Sequence, residues 1–343
     1  MSIRNLAARL GIDPFLLFLA ATVALAALLP ARGAAAPVAG DAATGAVALL
    51  FLLYGAKLSL GEVLAGLMNW RLQSLIFAST FILFPAVGLV LTTALKPWLP
   101  PALAEGLLFV CVLPSTVQSS IAFTSIARGN VPAALSSASL SNLVGMVVTP
   151  LLVMLLFSAH GPGLSLKSLG DIAMQLLLPF AAGQALRPLI GGLVARHRPV
   201  TSVIDRGSIL VVVYAAFSEG MVEHIWSRVS LPGLGLVLLL DVAILAAILA
   251  ATTVLSRWLG FSKEDEIAIV FCGSKKTLAG GIPMANILFA GQPVGLIVLP
   301  LMLFHQAQLF ACATIAQRYA RRPKAAAAAP VRMGAAVTVP LRS

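Results

Sequence analysis

The sequence predicts an all-α membrane protein with ten transmembrane helices, on three grounds. Apolar residues make up 59% of its 343 residues and charged residues only 10%, whereas a soluble domain carries about 25% charged residues. The apolar residues form ten runs, each close to the ~20 residues that a helix needs to cross a bilayer. Basic residues and tryptophans gather at the ends of those runs. A chain with this composition cannot cover a water-facing surface, so the lipid bilayer is its main expected partner.

The predicted spans follow one another with short polar gaps between them. The first run, preceded by Arg4 and Arg9, has features of a signal peptide. Its removal would leave an odd number of spans and would reverse the charge asymmetry described below, which favours a first span. The runs cover residues 13–30, 43–60, 74–95, 106–127, 131–157, 170–193, 208–226, 233–255, 267–290 and 296–317.

The runs divide the chain into four segments. A cytoplasmic N-terminus, residues 1–12, precedes a first group of five helices at 13–157 and a second group of five at 158–317. Residues 318–343 are basic and then rich in Ala and Pro, without a sustained apolar face. This composition predicts a disordered cytoplasmic tail.

Charge asymmetry predicts the orientation. With both termini in the cytoplasm, the inner segments hold most of the basic residues, as the positive-inside rule requires. The four tryptophans lie at span edges on both sides, as in an aromatic belt. We therefore expect a multi-pass protein of the inner cell membrane, and no nucleic acid partner despite the net charge of +11. The basic residues of the outer segments are Arg32, Lys96, Lys167 and Arg228.

Two spans contain helix breakers and polar residues in mid-run. Proline removes a backbone donor, and unpaired backbone in lipid is costly, so such breaks persist only where they are buried in protein or line a cavity. The alternative is a proline kink whose Ser and Thr side chains bond back to their own helix. The segments are Leu113-Pro114-Ser115-Thr116-Val117-Gln118-Ser119-Ser120 in the fourth span, and Gly273-Ser274-Lys275-Lys276-Thr277 with Gly280-Gly281-Ile282-Pro283 in the ninth.

The two breaks occupy equivalent places if spans 1–5 and 6–10 are repeats. Pro114 and Gly273 lie 159 positions apart, about half the length of the membrane region. Because each half has five spans, the second must enter the membrane inverted. Interrupted segments at corresponding places in two inverted halves indicate the binding site of a transporter.

Lys275 and Lys276 lie about eight residues into the ninth run, where a lysine costs at least ~2.5–3.5 kcal/mol unless it is paired or hydrated. In one interpretation they are structural, and one of them extends to the surface or pairs with Asp241, the acid deep in the eighth run. In the other they supply a fixed positive charge for an anionic substrate or replace a coupling cation. Helical neighbours point about 100° apart, so both face one cavity only if the helix is unwound there.

The remaining residues give little support for an enzyme. The histidines are scattered without metal-ligand spacing, the cysteines lie inside apolar runs, and no phosphate loop, nucleophile elbow or zinc motif occurs. We therefore predict no catalytic residues, no firm metal site and no cofactor.

Two segments also carry a family resemblance. They are LPSTVQSSIAFTSIARGNVPAALSSASLSN (113–142), with TP at 149–150, and FCGSKKTLAGGIPMA (271–285). They resemble the bile acid:sodium symporter family, in its bacterial SBF-like branch, and weaker similarity extends over residues 10–317. The resemblance implies ten helices in two inverted five-helix repeats. It also implies a core domain from spans 3–5 and 8–10, where helices 4 and 9 are broken and cross, and a panel domain from spans 1, 2, 6 and 7.

The resemblance further implies sodium sites at the crossing. Ser119 and Ser120 match a Ser-Asn pair of span four, Ser139 matches a hydroxyl of span five, and Thr80 stands where the family has a Gln ligand. Span nine departs from the pattern, because Phe271 replaces the sodium-binding Glu and the two lysines replace Gln-Asn. An ammonium group repels a small cation, so the usual sodium sites are altered here.

These observations predict a secondary active, symporter-like transporter of a small organic anion. Sodium coupling is the family default, and proton coupling or exchange through a titrating lysine is the variant. The alternative from another class is a non-transporting membrane regulator with the same fold. A water-accessible cleft at the crossing would favour transport, and a sealed crossing would favour the regulator. The predicted binding residues are Thr80, Ser115, Gln118, Ser119, Ser120, Ser139, Ser274, Lys275, Lys276 and Thr277.

Overall fold

The computed structural model describes residues 14–58, 61, 69–157, 166–222, 224 and 230–322. Within these ranges every regular element is a helix, which confirms the all-α prediction for this part of the chain. The predicted N-terminal segment, residues 1–12, and residues 323–343 of the predicted tail lie outside the described residues.

The described helices follow the predicted apolar runs, with ends that mostly differ by a few residues, although α2 begins eight residues and α9 ten residues before the predicted starts. The last of them extends to Ala320, past the predicted start of the tail. The elements are α1 (Pro14–Leu28), α2 (Ala35–Lys57), α3 (Trp70–Ala78), a π-helical segment (Ser79–Leu83), α4 (Phe84–Ala94), α5 (Pro101–Val112), α6 (Val117–Ile126), α7 (Val131–Phe157), α8 (Leu166–Arg196), α9 (Arg198–Val222), α10 (Leu231–Trp258), α11 (Lys263–Gly273), α12 (Leu278–Leu288) and α13 (Val294–Ala320).

Seven of the described helical stretches are long and apolar enough to cross a membrane, and α5 with α6, bent by 60° at their break, adds an eighth. Two predicted spans fail this criterion for reasons visible in the sequence. Helix α1 has only 15 residues, and α11 begins with four charged residues and ends at the second break. The structure is therefore that of a multi-pass membrane protein, with seven or eight spans by length and composition where the sequence predicted ten.

Serine caps set the starts of α10 and α11. Ser230 Oγ accepts the backbone N–H of Gly233 at 3.2 Å, and Ser262 Oγ accepts that of Asp265 at 3.1 Å. Such caps satisfy donors that a helix leaves unpaired at its N-terminus. The acidic residues in the first turn of α11 also interact favourably with the helix dipole. Local sequence thus sets the start of α11, and the helix ends at Gly273, beside the second break.

The helices form two groups, in which α1, α2, α8 and α9 pack mainly with one another and the others do likewise. Helices α2 and α8 approach each other closely at Gly183. A Cβ atom added to this glycine would lie only 1.9 Å from the carbonyl oxygen of Leu52, so no larger residue fits there. Small residues permit such contacts between helices in lipid. Helix α9 also contacts α12 and α13, which places it at the boundary between the groups.

Candidate functional site

The two breaks contact each other through their backbones. The N–H of Thr277 donates to the carbonyl of Pro114 at 3.0 Å, and Thr116 Oγ1 donates to the carbonyl of Lys276 at 2.8 Å. Groups that lost their helical partners at one break are therefore satisfied by the other. This is the arrangement that allows non-helical backbone to persist within a membrane protein.

Gln308 on α13 holds the second break in place, and the sequence prediction did not include it. Its Oε1 accepts the N–H of Lys276 at 2.9 Å, and its Nε2 donates to the carbonyl of Lys276 at 3.0 Å. The same Nε2 lies 2.8 Å from Nδ1 of His305. The sequence does carry a signal for it, because His305 and Gln308 form a polar pair spaced i, i+3 inside an apolar run. Polar side chains that are buried in such a run need hydrogen-bond partners.

Helix α7 holds the first break. The N–H of Ser115 donates to Ser141 Oγ at 3.1 Å, and Asn142 Nδ2 donates to the carbonyl of Ser115 at 2.7 Å. Ser139 is buried on the same helix, but no hydrogen bond joins its side chain to the break among the described residues. The α7 hydroxyl that contacts the break thus lies two residues beyond the predicted one.

The ammonium group of Lys276 is enclosed by backbone oxygens. Its Nζ donates to the carbonyls of Thr80, Cys111 and Leu113 at 2.9, 2.8 and 2.7 Å, and lies 4.0 Å from the centre of the Phe84 ring. The side chain is fully buried. An ammonium has three N–H donors, so the three carbonyls satisfy it completely.

Local sequence explains why these carbonyls are free. In the π-helical segment the N–H of Phe84 bonds to the carbonyl of Ser79, so the ordinary α-helical partner of Thr80 is already used. The next residue, Pro85, has no N–H to offer. Cys111 and Leu113 lie at the C-terminal end of α5, where a helix leaves its carbonyls unpaired. A helix end and a proline thus create a site for a cation.

Lys275 has the opposite environment. Its side chain is also fully buried, yet its Nζ has no hydrogen-bond partner among the described residues. The ammonium lies 3.8 Å from the centre of the Phe123 ring and 5.8 Å from that of Phe271. The two lysines therefore point into different surroundings, one polar and one aromatic. A cation–π contact compensates only part of the charge's lost hydration.

Asp241 does not form the predicted pair with a lysine in this structure. It is fully buried on α10, and neither carboxylate oxygen has a hydrogen-bond partner among the described residues. A buried acid without a hydrogen-bond partner is costly in a membrane helix.

The other predicted residues divide into two sets. Ser274 and Thr277 bond locally: Ser274 Oγ donates to the carbonyl of Val270 at 2.6 Å, and Thr277 Oγ1 accepts the N–H of Gly280 at 3.2 Å. The Ser274 bond is the back-bonding that the alternative predicted, whereas Thr277 caps the N-terminus of α12.

The second set lies at the start of α6. Gln118 is exposed, and Ser119 is partly buried with no hydrogen-bond partner for its Oγ among the described residues. Ser120 Oγ donates to the carbonyl of Phe271 at 3.2 Å and lies 3.5 Å from Ser115 Oγ. Gln118 therefore lies at the surface of the described structure, while both lysines are enclosed. The described residues contain no cluster of three or more His, Cys, Asp or Glu suited to a metal.

Comparisons with known proteins agree on one family of transporters. A model of the SBF-like CPA transporter family matches residues 13–321. An uncharacterized protein of Pseudomonas aeruginosa is 57% identical, over 92% of this chain and 96% of its own. The proposed symporter YfeH of Escherichia coli is 48% identical, over 91% and 94%. Sodium/bile acid cotransporter 7 of Rattus norvegicus is 30% identical, over 77% and 78%.

Proposed function

Because the chain belongs to the SBF-like CPA transporter family, we propose that it is a secondary transporter of a small organic anion in which Lys276 replaces the coupling cation. The family makes it a transport protein and not an enzyme. The names of its relatives include a proposed symporter and a sodium/bile acid cotransporter. The substrate class and the role of the lysine are our inference.

The observation that best supports this proposal is the set of three carbonyl oxygens around Lys276 Nζ. Backbone carbonyl oxygens that converge on one point are also the kind of ligand that a small hard cation prefers. The ammonium fills that space, and its charge opposes a second cation beside it. We therefore expect no sodium ion to bind among these carbonyls, so that ligand binding persists without sodium.

Lys275 is the proposed charge for the substrate. Its ammonium has no hydrogen-bond partner among the described residues, so an anionic group that reached it would gain a strong interaction. The exposed Gln118 and the partly buried Ser119 lie beside the first break, and we assign them as the polar entry point for the anion. In the proton-coupled or exchange variant this lysine titrates, and affinity for the anion falls as alkaline pH removes its charge.

We also propose the ten-span arrangement. Helix α1 and the broken pair α11–α12, added to the eight stretches that meet the length criterion, make ten. The two helix groups resemble the panel and core of the family. Both termini would then be cytoplasmic, in the inner membrane.

The test is a thermal-shift screen of the purified chain with small organic anions, bile acids among them, in sodium and in choline buffers. A ligand that binds only the folded state raises its melting temperature. We expect equal shifts in the two buffers and a smaller shift for Lys275→Met. Lys96→Met, at an exposed lysine, is the matched control and should behave like the wild type. A shift that requires sodium would contradict the proposal.

Burial of both lysines favours the second candidate, a non-transporting regulator with this fold, because the crossing is closed around them. Uptake of the screened ligand into proteoliposomes separates the two candidates. A regulator binds the ligand and moves none of it across the membrane.

A further inference from the structure

A cleft of about 530 Å³ lies away from the crossing, between the ends of α10 and α13 and the start of α11. Two helix faces line it, and both change from apolar to basic in the same direction. On α10 the face runs from Ala250 through Val254 to Arg257, and on α13 from Ile315 to Arg318. These spacings of three and four residues put each series on one side of its helix.

The apolar part of the cleft faces lipid. Val254 is 63% exposed, and on a membrane-spanning helix an exposed apolar side chain contacts acyl chains. Trp258, one residue after Arg257, is 82% exposed. An exposed tryptophan at a span end marks the boundary between hydrocarbon and headgroups. The basic part of the cleft therefore lies at headgroup level.

The basic part has more cations than anions. Arg257 and Lys263 both bind the buried carboxylate of Glu266, at 3.1 and 2.6 Å. Arg322 binds Glu264 at 2.8 Å. Arg318 is exposed and makes no ion pair with the described residues. Within this part of the chain, four cations thus meet two carboxylates, and one of the four is free.

The paired cations also retain donors that face the cleft. The side chains of Arg257 and Lys263 remain 59% and 40% exposed while bound to Glu266. Tyr319 Oη donates to the same carboxylate at 2.8 Å, which holds that side of the cleft rigid. The site is therefore a preorganised row of cationic donors above an apolar wall.

We propose that this cleft binds the phosphate headgroup of an anionic phospholipid, with an acyl chain along Val254 and Ile315. Basic pockets between membrane helices at headgroup level bind anionic lipid headgroups. A free organic anion lacks the long chain that the exposed apolar wall would contact. The site is separate from the lysines of the crossing and does not depend on the proposed transport function.

The experiment follows the melting temperature of the purified full chain in neutral detergent during titration with phosphatidylglycerol. Phosphatidylcholine with the same acyl chains and inorganic phosphate are the comparison ligands. We expect phosphatidylglycerol to stabilise the protein at concentrations where neither comparison ligand does. Arg318→Gln should weaken its apparent affinity about fivefold, the effect of one surface arginine near an anionic headgroup.

Arg321→Gln is the matched control, since Arg321 is exposed at the same helix end but does not line the cleft. It should bind phosphatidylglycerol like the wild type. Equal stabilisation by the two phospholipids, or equal affinity of the two glutamine variants, would overturn the proposal. Equal stabilisation by inorganic phosphate would replace the lipid with a free anion and overturn it also.

Discussion

Replacing Lys276 with Met is expected to destabilise the protein, because it removes the ammonium while keeping side-chain length. Three buried carbonyl oxygens then lose donors at 2.7–2.9 Å. A side-chain hydrogen bond within a membrane bundle contributes ~0.6 kcal/mol on average, and one to a charged group in a soluble protein at least ~1.5 kcal/mol. For three bonds these values give a loss of about 2–5 kcal/mol.

Lys275→Met is the matched control. The neighbouring lysine is equally buried but donates no hydrogen bond within the described structure, so its replacement removes an unpaired charge and leaves no carbonyl unsatisfied. The melting temperatures of the two purified variants are compared in one detergent without ligand. We expect a lower value for Lys276→Met, and an unchanged or higher value for Lys275→Met. Equal decreases would refute the assignment of the carbonyl site to Lys276.

A smaller residue at the same position tests whether the carbonyls form a cation site. Lys276→Ala leaves the three oxygens around an open space, and small cations should enter it. Methylammonium or sodium should therefore raise the melting temperature of Lys276→Ala, and neither should do so in the wild type. Tetramethylammonium, which has no N–H donor, is the negative control. Absence of rescue by both small cations would show that the oxygens do not act as a site.

Other perturbations test the orientation, the basic cluster, the buried acid and the glycine contact. A cysteine at Ala34 should react with an impermeant thiol reagent outside intact cells, and one at Ala195 only after permeabilisation. Glu266→Gln should lower stability at neutral pH by about 2 kcal/mol, the value of a hydrogen bond to a charged group, and should flatten the loss of stability in acid. Burial alone would raise the pKa of this carboxyl, but its hydrogen bonds with three side chains outweigh burial and lower it. Its stabilisation is thus present above the ordinary glutamate pKa and disappears as pH falls through the lowered value. Asp241→Asn should keep the melting temperature, since no hydrogen bond is lost. Gly183→Ala should cost about 3 kcal/mol, because its Cβ meets a backbone atom that cannot move aside.

Each of these outcomes has its own control. The native cysteines among the described residues are buried, so they should give no background labelling. Glu264→Gln, at a carboxylate that is 55% exposed, should change acid stability little. A large decrease in the melting temperature of Asp241→Asn would indicate that this carboxylate has a stabilising partner. Gly192 lies on the same helix as Gly183, and a Cβ added there meets no atom within 4 Å. If Gly192→Ala lowered stability as much as Gly183→Ala, close packing would be excluded as the cause.

The approximate positions of the helices could be predicted from the sequence because the length of an apolar run is a local property. The run at 131–157 coincides with α7. The breaks were placed within a few residues because proline beside several polar side chains interrupts the helix that an apolar run would otherwise form. The ten predicted spans exceed the seven or eight described stretches that are long and apolar enough to cross a membrane. A short α1 and a charged start to α11 both fall outside a simple length criterion.

The site was less predictable because it depends on contacts between distant segments. Both lysines were identified, but only the structure separates their roles, since one backbone step turns Lys276 towards α5 and leaves Lys275 between phenylalanine rings. Gln308 is distant in sequence from the break that it holds. The free carbonyl of Thr80 results from a π-helical turn before Pro85, and no side-chain pattern reports which carbonyl such a turn releases.

The carbonyl site of Lys276 has a consequence for the energetics of a transport cycle. A sodium ion that enters with substrate and leaves inside carries the free energy of its gradient, whereas a covalently attached ammonium cannot leave. If Lys276 is the cation of the cycle, only the charge of the anion is moved on balance. A membrane potential of 100 mV, negative inside, then opposes accumulation of a monovalent anion by about 2.3 kcal/mol. Such a carrier favours efflux, or exchange of one anion for another, over concentrative uptake.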